Sequence, residues 1–380
     1  MRIQTVVLIL TSLAASAFAQ NSSNTNEAFV AIPRNYTFQN KVEITNMPAV
    51  RSQDSIGICG AFAVAAVLDY NNCRKNNWDC KTIGDDKRVS TLDLARAGSA
   101  DLTDYDAVHD KSTYSRIVFG TPTSVIATRA SSFSEYVAKE SCAPFAAIVN
   151  RYQDTDHRQL EKVTQLENQV REYTEGRSTC IECILETIKT EFPGITDLKN
   201  VREAIEGAKA VLPDEIRREA KAAGVPEGAQ FRGRWDIGFE LFLKKLLIKH
   251  KCELKENIIS VKGRVARFEP IEGQDNRAKF KDFISQNLSS RNPVVVSGLC
   301  VTSAIEDPNK CHLAHAVVIT GEAKACNPRG NDCVRVFKVH NSWGQSWQNE
   351  FNGGWVSANH LLGRMNSKAG HWGTVILSAD

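Results

Sequence analysis

Residues 51–72 read RSQDSIGICGAFAVAAVLDYNN, and the way this stretch folds sets the reading of the whole chain. Cys59 follows Gly57-Ile58, and from Ala61 to Tyr70 runs a series of good helix formers with no Pro and no interior Gly. This predicts a helix that opens at Cys59. A thiol at a helix N-terminus meets unpaired backbone N–H groups and the positive end of the helix dipole, both of which favour the thiolate, the nucleophilic form. Gln53 stands six residues earlier, on the loop leading into that helix. From there its side-chain amide can aim at the region the Cys59 backbone N–H also faces, which makes an oxyanion hole.

A nucleophilic sulfur needs a base, and HLAHAVVITG (312–321) offers one. His315 opens the β-rich run Ala316 to Thr320, closed by Gly321, a half-buried strand pattern. His312 is a competing base, but it precedes the strand. A third group should orient the imidazole, and CVRVFKVHNSWGQSW (333–347) supplies Asn341 at the end of another strand, between which and solvent Trp343 and Trp347 can stand. Indole rings there would shield an Asn–His hydrogen bond from water and so strengthen it.

These three segments resemble the papain family of cysteine peptidases: QDSIGICGAF its active-site segment, LAHAV its histidine strand and HNSWGQSW its asparagine motif, in the family's order of Gln, Cys, His, Asn. The resemblance implies Gln53 as the oxyanion glutamine, Cys59 as nucleophile, His315 as base, Asn341 as the orienting residue and Trp343 as the ring covering it. Phe119-Gly120-Thr121-Pro122 resembles the family's substrate strand, which implies peptide contacts at Gly120 and Thr121 as well as at Trp343. ESCAPF (140–145) resembles the stretch that closes the first half-domain. The resemblance covers about residues 45–150 and 262–360. Departures are Ile56 where the family has a half-cystine, Gly60 where it has a tryptophan, and Thr121 where it has a second glycine.

His315 lies 256 positions after Cys59, against about 130 to 150 in that family. The surplus falls in the middle. Residues 151–250 are highly charged and carry helical apolar stripes, Leu160-Val163-Leu166-Val170-Tyr173 and then Ile181-Ile184-Leu185-Ile188-Phe192, with a last helix over about 237–248. A strand NPVVVSGL (292–299) restarts the second half. The expected architecture is α+β: a papain-like two-lobe fold with a helical lobe, an antiparallel barrel-like lobe and an inserted helical subdomain. Its expected divisions are 1–19, a signal peptide; 20–150, the lobe of the nucleophile; 151–250, the insert; and 251–380, the lobe of His315 and Asn341. Only 33 residues (20–52) precede Gln53 after the expected cleavage site, too few for the family's usual pro-domain. The inserted helices are therefore expected either to cap the cleft, as a built-in lid or substrate selector, or to form a surface domain that binds something else.

Arg2, the apolar run VVLIL and the small residues ending Ala17-Phe18-Ala19 read as a secretory signal, too short to be a lasting membrane anchor. Eleven cysteines in an exported chain imply disulfides, and the odd count leaves one thiol over. Cys180-x-x-Cys183 has the spacing of a redox pair or half a zinc site; structural disulfides are the plainer reading. Asp154 and Asp156 lack the rest of an EF-hand, and N-x-S/T sequons stand at Asn21, Asn35 and Asn287. With 47 Lys and Arg against 44 Asp and Glu, the net charge of +3 gives no reason to expect nucleic acid or an anionic membrane as partner. The expectation is a secreted thiol peptidase acting on peptide or protein substrates, with a proteinaceous inhibitor as a possible partner and no metal or organic cofactor. The alternatives are an inert papain-like scaffold that binds, and a thiol–disulfide exchanger built on Cys180 and Cys183.

Overall fold

The structure, a computed structural model, describes residues 29–53, 57–98, 123–145, 178–192, 197–211, 254–271, 273–301, 314–366 and 372–378, with single positions between 162 and 173 and at 195 and 252. The signal segment, Ile56, Gly120, Thr121, His312, Asp154, Asp156 and the helix expected at 237–248 lie outside these residues.

The chain is α+β. Strands β1 (Thr37–Glu43), β4 (Gly263–Phe268), β5 (Val294–Cys300), β6 (Ala314–Cys326), β7 (Cys333–His340), β8 (Trp355–Ser357) and β9 (Gly373–Ser378) form one antiparallel sheet in the order β4-β9-β5-β6-β7-β8. β6 is its spine. One edge of β6 pairs first with β5 (Cys300 opposite Ala314 to Val294 opposite Ile319) and then with β1 (Glu43 opposite Gly321 to Thr37 opposite Cys326). The other edge pairs with β7 from Val318 opposite His340 to Cys326 opposite Cys333. β1 comes from the segment the sequence reading assigned to the nucleophile's lobe, and it adds to the sheet of the C-terminal segment. At Gly321, where β1 crosses closest, an added Cβ would stand 2.8 Å from the Val42 carbonyl oxygen, so the approach needs glycine.

Helix α1 (Cys59–Asn76) opens at the predicted residue and is buried along most of its length, because Ala61 to Leu68 carry no polar side chain. It packs against β6, with α2 (Thr91–Gly98) and α3 (Thr123–Thr128) beside it. Helix α6 (Arg277–Ser289) packs against β1, β5 and β6 and buries Phe280, Ile284 and Leu288, the i, i+4, i+8 face of its pattern. Two helices of the middle segment are α4 (Ile181–Glu191) and α5 (Leu198–Val211). Ile184, Leu185, Ile188 and Phe192 are buried as the stripe predicts, and so are Leu166, Val170 and Tyr173. Helices α7 (Gly344–Glu350) and α8 (Ala358–Gly363) flank β8.

Two features pin the ends of the middle segment together. β2 (Tyr136–Ala138) pairs antiparallel with β3 (Ile258–Ser260), and the Cys142–Cys252 disulfide holds its two Cα atoms 5.6 Å apart across a sequence separation of 110. In the chain-entropy account a bridge of that span stabilises by about 5 kcal/mol, whereas one of span 3 or 7 contributes about 2 kcal/mol. The shorter bridges are Cys180–Cys183, Cys73–Cys80 and Cys326–Cys333. Cys300 is bonded as well, and the free thiol among the described residues is Cys59. No described helix is long and apolar enough to cross a membrane.

Candidate active site

Three pieces of backbone converge at the N-terminus of α1. Cys59 is its first residue, and the sulfur is approached by the backbone N–H groups of Gly60, of Cys59 itself and of Ala316. Ala316 follows His315 on β6, so the sulfur lies beside the start of the histidine strand. β7 ends at His340, and the next residue, Asn341, turns its side chain onto His315: Oδ1 is 2.8 Å from Nε2. An amide oxygen only accepts, so Nε2 carries the proton and the neutral imidazole keeps its lone pair on Nδ1. His315 is 4% exposed and Asn341 0%.

Trp343 closes the pair from one side. Its ring stacks on the His315 ring with centroids 4.6 Å apart and planes at 22°. Behind it stand Phe29, edge-on at 5.7 Å, and Trp347, edge-on at 6.2 Å, and Trp347 stacks in turn on Phe351. Gly344, at φ +83°, lets the chain reverse directly after Trp343, and it packs 3.5 Å from the Ser52 side chain when given a Cβ.

Gln53 reaches the same place by pairing with that reversal. Ser52 bridges Trp343, the Gln53 N–H donates to the Ser342 carbonyl at 2.8 Å, and the Ser342 hydroxyl donates to Gln53 Oε1. The oxygen end of the amide is thereby committed, and its donating Nε2 end is the one set apart from Ser342. Two residues upstream, Arg51 spans two buried carboxylates, Asp69 Oδ2 at 3.4 Å on α1 and Glu140 Oε2 at 3.3 Å after β2, and lies over the Phe62 ring. Glu140 also accepts from the N–H groups of Thr91 and Phe145, and Asp69 from that of Val89. This network ties the Gln53 loop to the helix that carries Cys59.

Electrostatics depart from the sequence reading at one point. Burial pushes the Cys59 thiol up, outweighing the three N–H groups that pull it down, and burial pushes His315 down to about 4 against the raising effect of the Asn341 hydrogen bond. Both displacements favour a neutral thiol and a neutral imidazole, not the thiolate that a helix N-terminus suggested. Burial also raises Asp69 to about 6 despite Arg51, and raises Glu140.

Of the residues read as functional, Gln53, Cys59, His315, Asn341 and Trp343 are brought together at this one locus. Phe29, Ser342 and the Ala316 N–H were not anticipated. Ser342 is adjacent to a residue already singled out, but Phe29 stands in a short apolar run, AFVAIP (28–33), in which nothing marks it for the site. Cys180 and Cys183 are bonded to each other, and no group of three or more metal-ligating side chains occurs among the described residues. Comparison with protein-family models and with curated proteins finds none that matches the chain.

Proposed function

We propose that this chain is a secreted papain-like cysteine peptidase that hydrolyses peptide bonds at Cys59. The observation that carries the reading is the His315 Nε2 bond to Asn341 Oδ1 at 2.8 Å, which leaves Nδ1 as the basic nitrogen on the residue just before Ala316, whose backbone N–H approaches the sulfur of Cys59, the unbridged cysteine among the described residues. A neutral imidazole within reach of a thiol can act as its general base. As the sulfur attacks the scissile carbonyl, the thiol proton passes to Nδ1 and the carbonyl oxygen takes the negative charge. The Cys59 backbone N–H and the Gln53 amide then hold that oxyanion. The imidazolium returns its proton to the departing amine, leaving a thioester. Water, deprotonated by the same nitrogen, attacks the thioester and frees the acid and the thiol. Asn341 and Trp343 keep the ring in the plane and tautomer this needs.

The test is covalent. Incubation with a peptidyl epoxide followed by mass mapping should give a single adduct at Cys59, formed at least 100-fold more slowly in His315→Ala, since a positioned base is worth about 10²–10⁴ in rate. Fluorogenic peptides should be turned over by the wild type and not by Cys59→Ser. A folded protein that neither labels nor cleaves is a binding scaffold, and the catalytic reading fails.

A further inference from the structure

The Cys180-x-x-Cys183 bridge differs from the others in placement. Cys180 is the N-cap of α4, its sulfur accepts the N–H of Cys183 at 3.2 Å, and Cys183 is exposed to solvent. Cys73 and Cys80 are fully buried, Cys326 is buried, and Cys252 is buried in the bridge that spans the middle segment. The bridge between residues three apart also closes the smallest loop, so the fold gains least from it. When it opens, the Cys180 sulfur is left at the N-cap facing helix N–H groups, where a thiolate is stabilised and is therefore the better leaving group. Glu182, between the two cysteines, opposes a thiolate, but it is ion-paired with Arg202 of α5, which offsets its charge.

We infer that Cys180 and Cys183 form a thiol–disulfide exchange site for small monothiols of the glutathione class. The thiolate of such a monothiol attacks the exposed Cys183 sulfur, forms a mixed disulfide there and expels Cys180 as the thiolate, which takes up a proton from water or stays ionised. A second monothiol thiolate attacks the small-thiol sulfur of that mixed disulfide and expels Cys183. One disulfide of the monothiol is formed for each protein disulfide reduced. The site is independent of the peptidase reading, because neither sulfur belongs to the Cys59 locus.

The experiment equilibrates the full-length folded protein over a graded series of reduced to oxidised glutathione, quenches with acid, alkylates with N-ethylmaleimide and maps the labels. The 180/183 peptide should gain two labels at a glutathione ratio at least tenfold less reducing than any other bridge requires, with Cys59 as a constant internal thiol. The trapping variant Cys180→Ser should accumulate a glutathione adduct on Cys183. In Cys59→Ser/Cys183→Ser, the Cys180 thiolate absorbance should titrate below the ordinary thiol value of about 8.5. The inference is overturned if the 180/183 bridge opens only together with, or after, Cys73–Cys80 or Cys326–Cys333, or if the Cys180 thiol titrates at or above that value.

Discussion

Protonation of His315 is the most quantitative handle on the site. In an unfolded chain its imidazole binds a proton near 6.5, whereas in the native fold burial holds it to about 4. Between those values the unfolded state binds more protons than the native state, so unfolding free energy must fall as pH falls. The contribution is intact above about 6.5 and is lost progressively down to about 4, and at about 1.4 kcal/mol per pH unit the whole loss is about 3 kcal/mol. The ring is 4% exposed, so solvent screening takes little from this figure. Asp69, raised to about 6, works in the opposite direction, because its native state takes up protons first; it stabilises as pH falls. The measurement must therefore be a difference. Urea unfolding of Cys59→Ser is compared with Cys59→Ser/His315→Gln at half-unit steps from pH 7.5 to 3.5, disulfides intact, the serine preventing self-digestion. The stability gap between the two proteins should narrow by about 3 kcal/mol toward acid while every other titration cancels. A gap that stays constant within about 0.5 kcal/mol would show that the imidazole is not desolvated as described.

Further outcomes follow from the same geometry. The rate of Cys59 alkylation by iodoacetamide should keep rising past pH 8, because burial raises the thiol; a plateau reached by pH 5 would establish an ion pair in its place. Gln53→Ala should lower kcat about 10²–10³-fold with KM nearly unchanged, the effect of losing an oxyanion donor, and Ser342→Ala should lower it less; equal losses, or a loss confined to KM, would argue against that role. Arg51→Met strands Asp69 and Glu140 and should cost about 3 kcal/mol in urea unfolding at pH 7.5, less below pH 6 as Asp69 becomes neutral. No change in stability would mean that the pairing is idle. Deleting residues 155–248 should alter peptide turnover or inhibitor affinity if the middle segment caps the cleft, and unchanged kinetics would remove it from the site.

How much of this was legible in the linear sequence varied with the range of the physics involved. The start of α1 was readable because Gly57, the run after Ala61 and the absence of a breaker are local, and the strand at His315 was readable from the run Val317 to Thr320, although it does not end at Gly321: it continues to Cys326 because β1 and β7 pair with that second half. Ile184, Leu185, Ile188 and Phe192 share a face that helical periodicity alone identifies. β1 was not readable: TFQNKVE has two apolar residues in seven and becomes a strand because β6 offers it an edge about 280 positions away. Phe29 is invisible for the same reason, since only the folded aromatic cluster gives it a role. The helix N-terminus at Cys59 is a local feature and so was legible, whereas the burial that pushes its thiol up is a property of the folded chain and was not.

The clamp formed by β2–β3 and Cys142–Cys252 gives the middle of the chain an unusual topological freedom. A polypeptide that departs from and returns to a single riveted point is a side branch, and its length does not alter the distance the rest of the backbone has to bridge. A peptide bond broken anywhere between the rivets leaves two polypeptides still joined by sulfur, and a branch lengthened, shortened or exchanged by mutation leaves the frame around Cys59 with the same endpoints to connect.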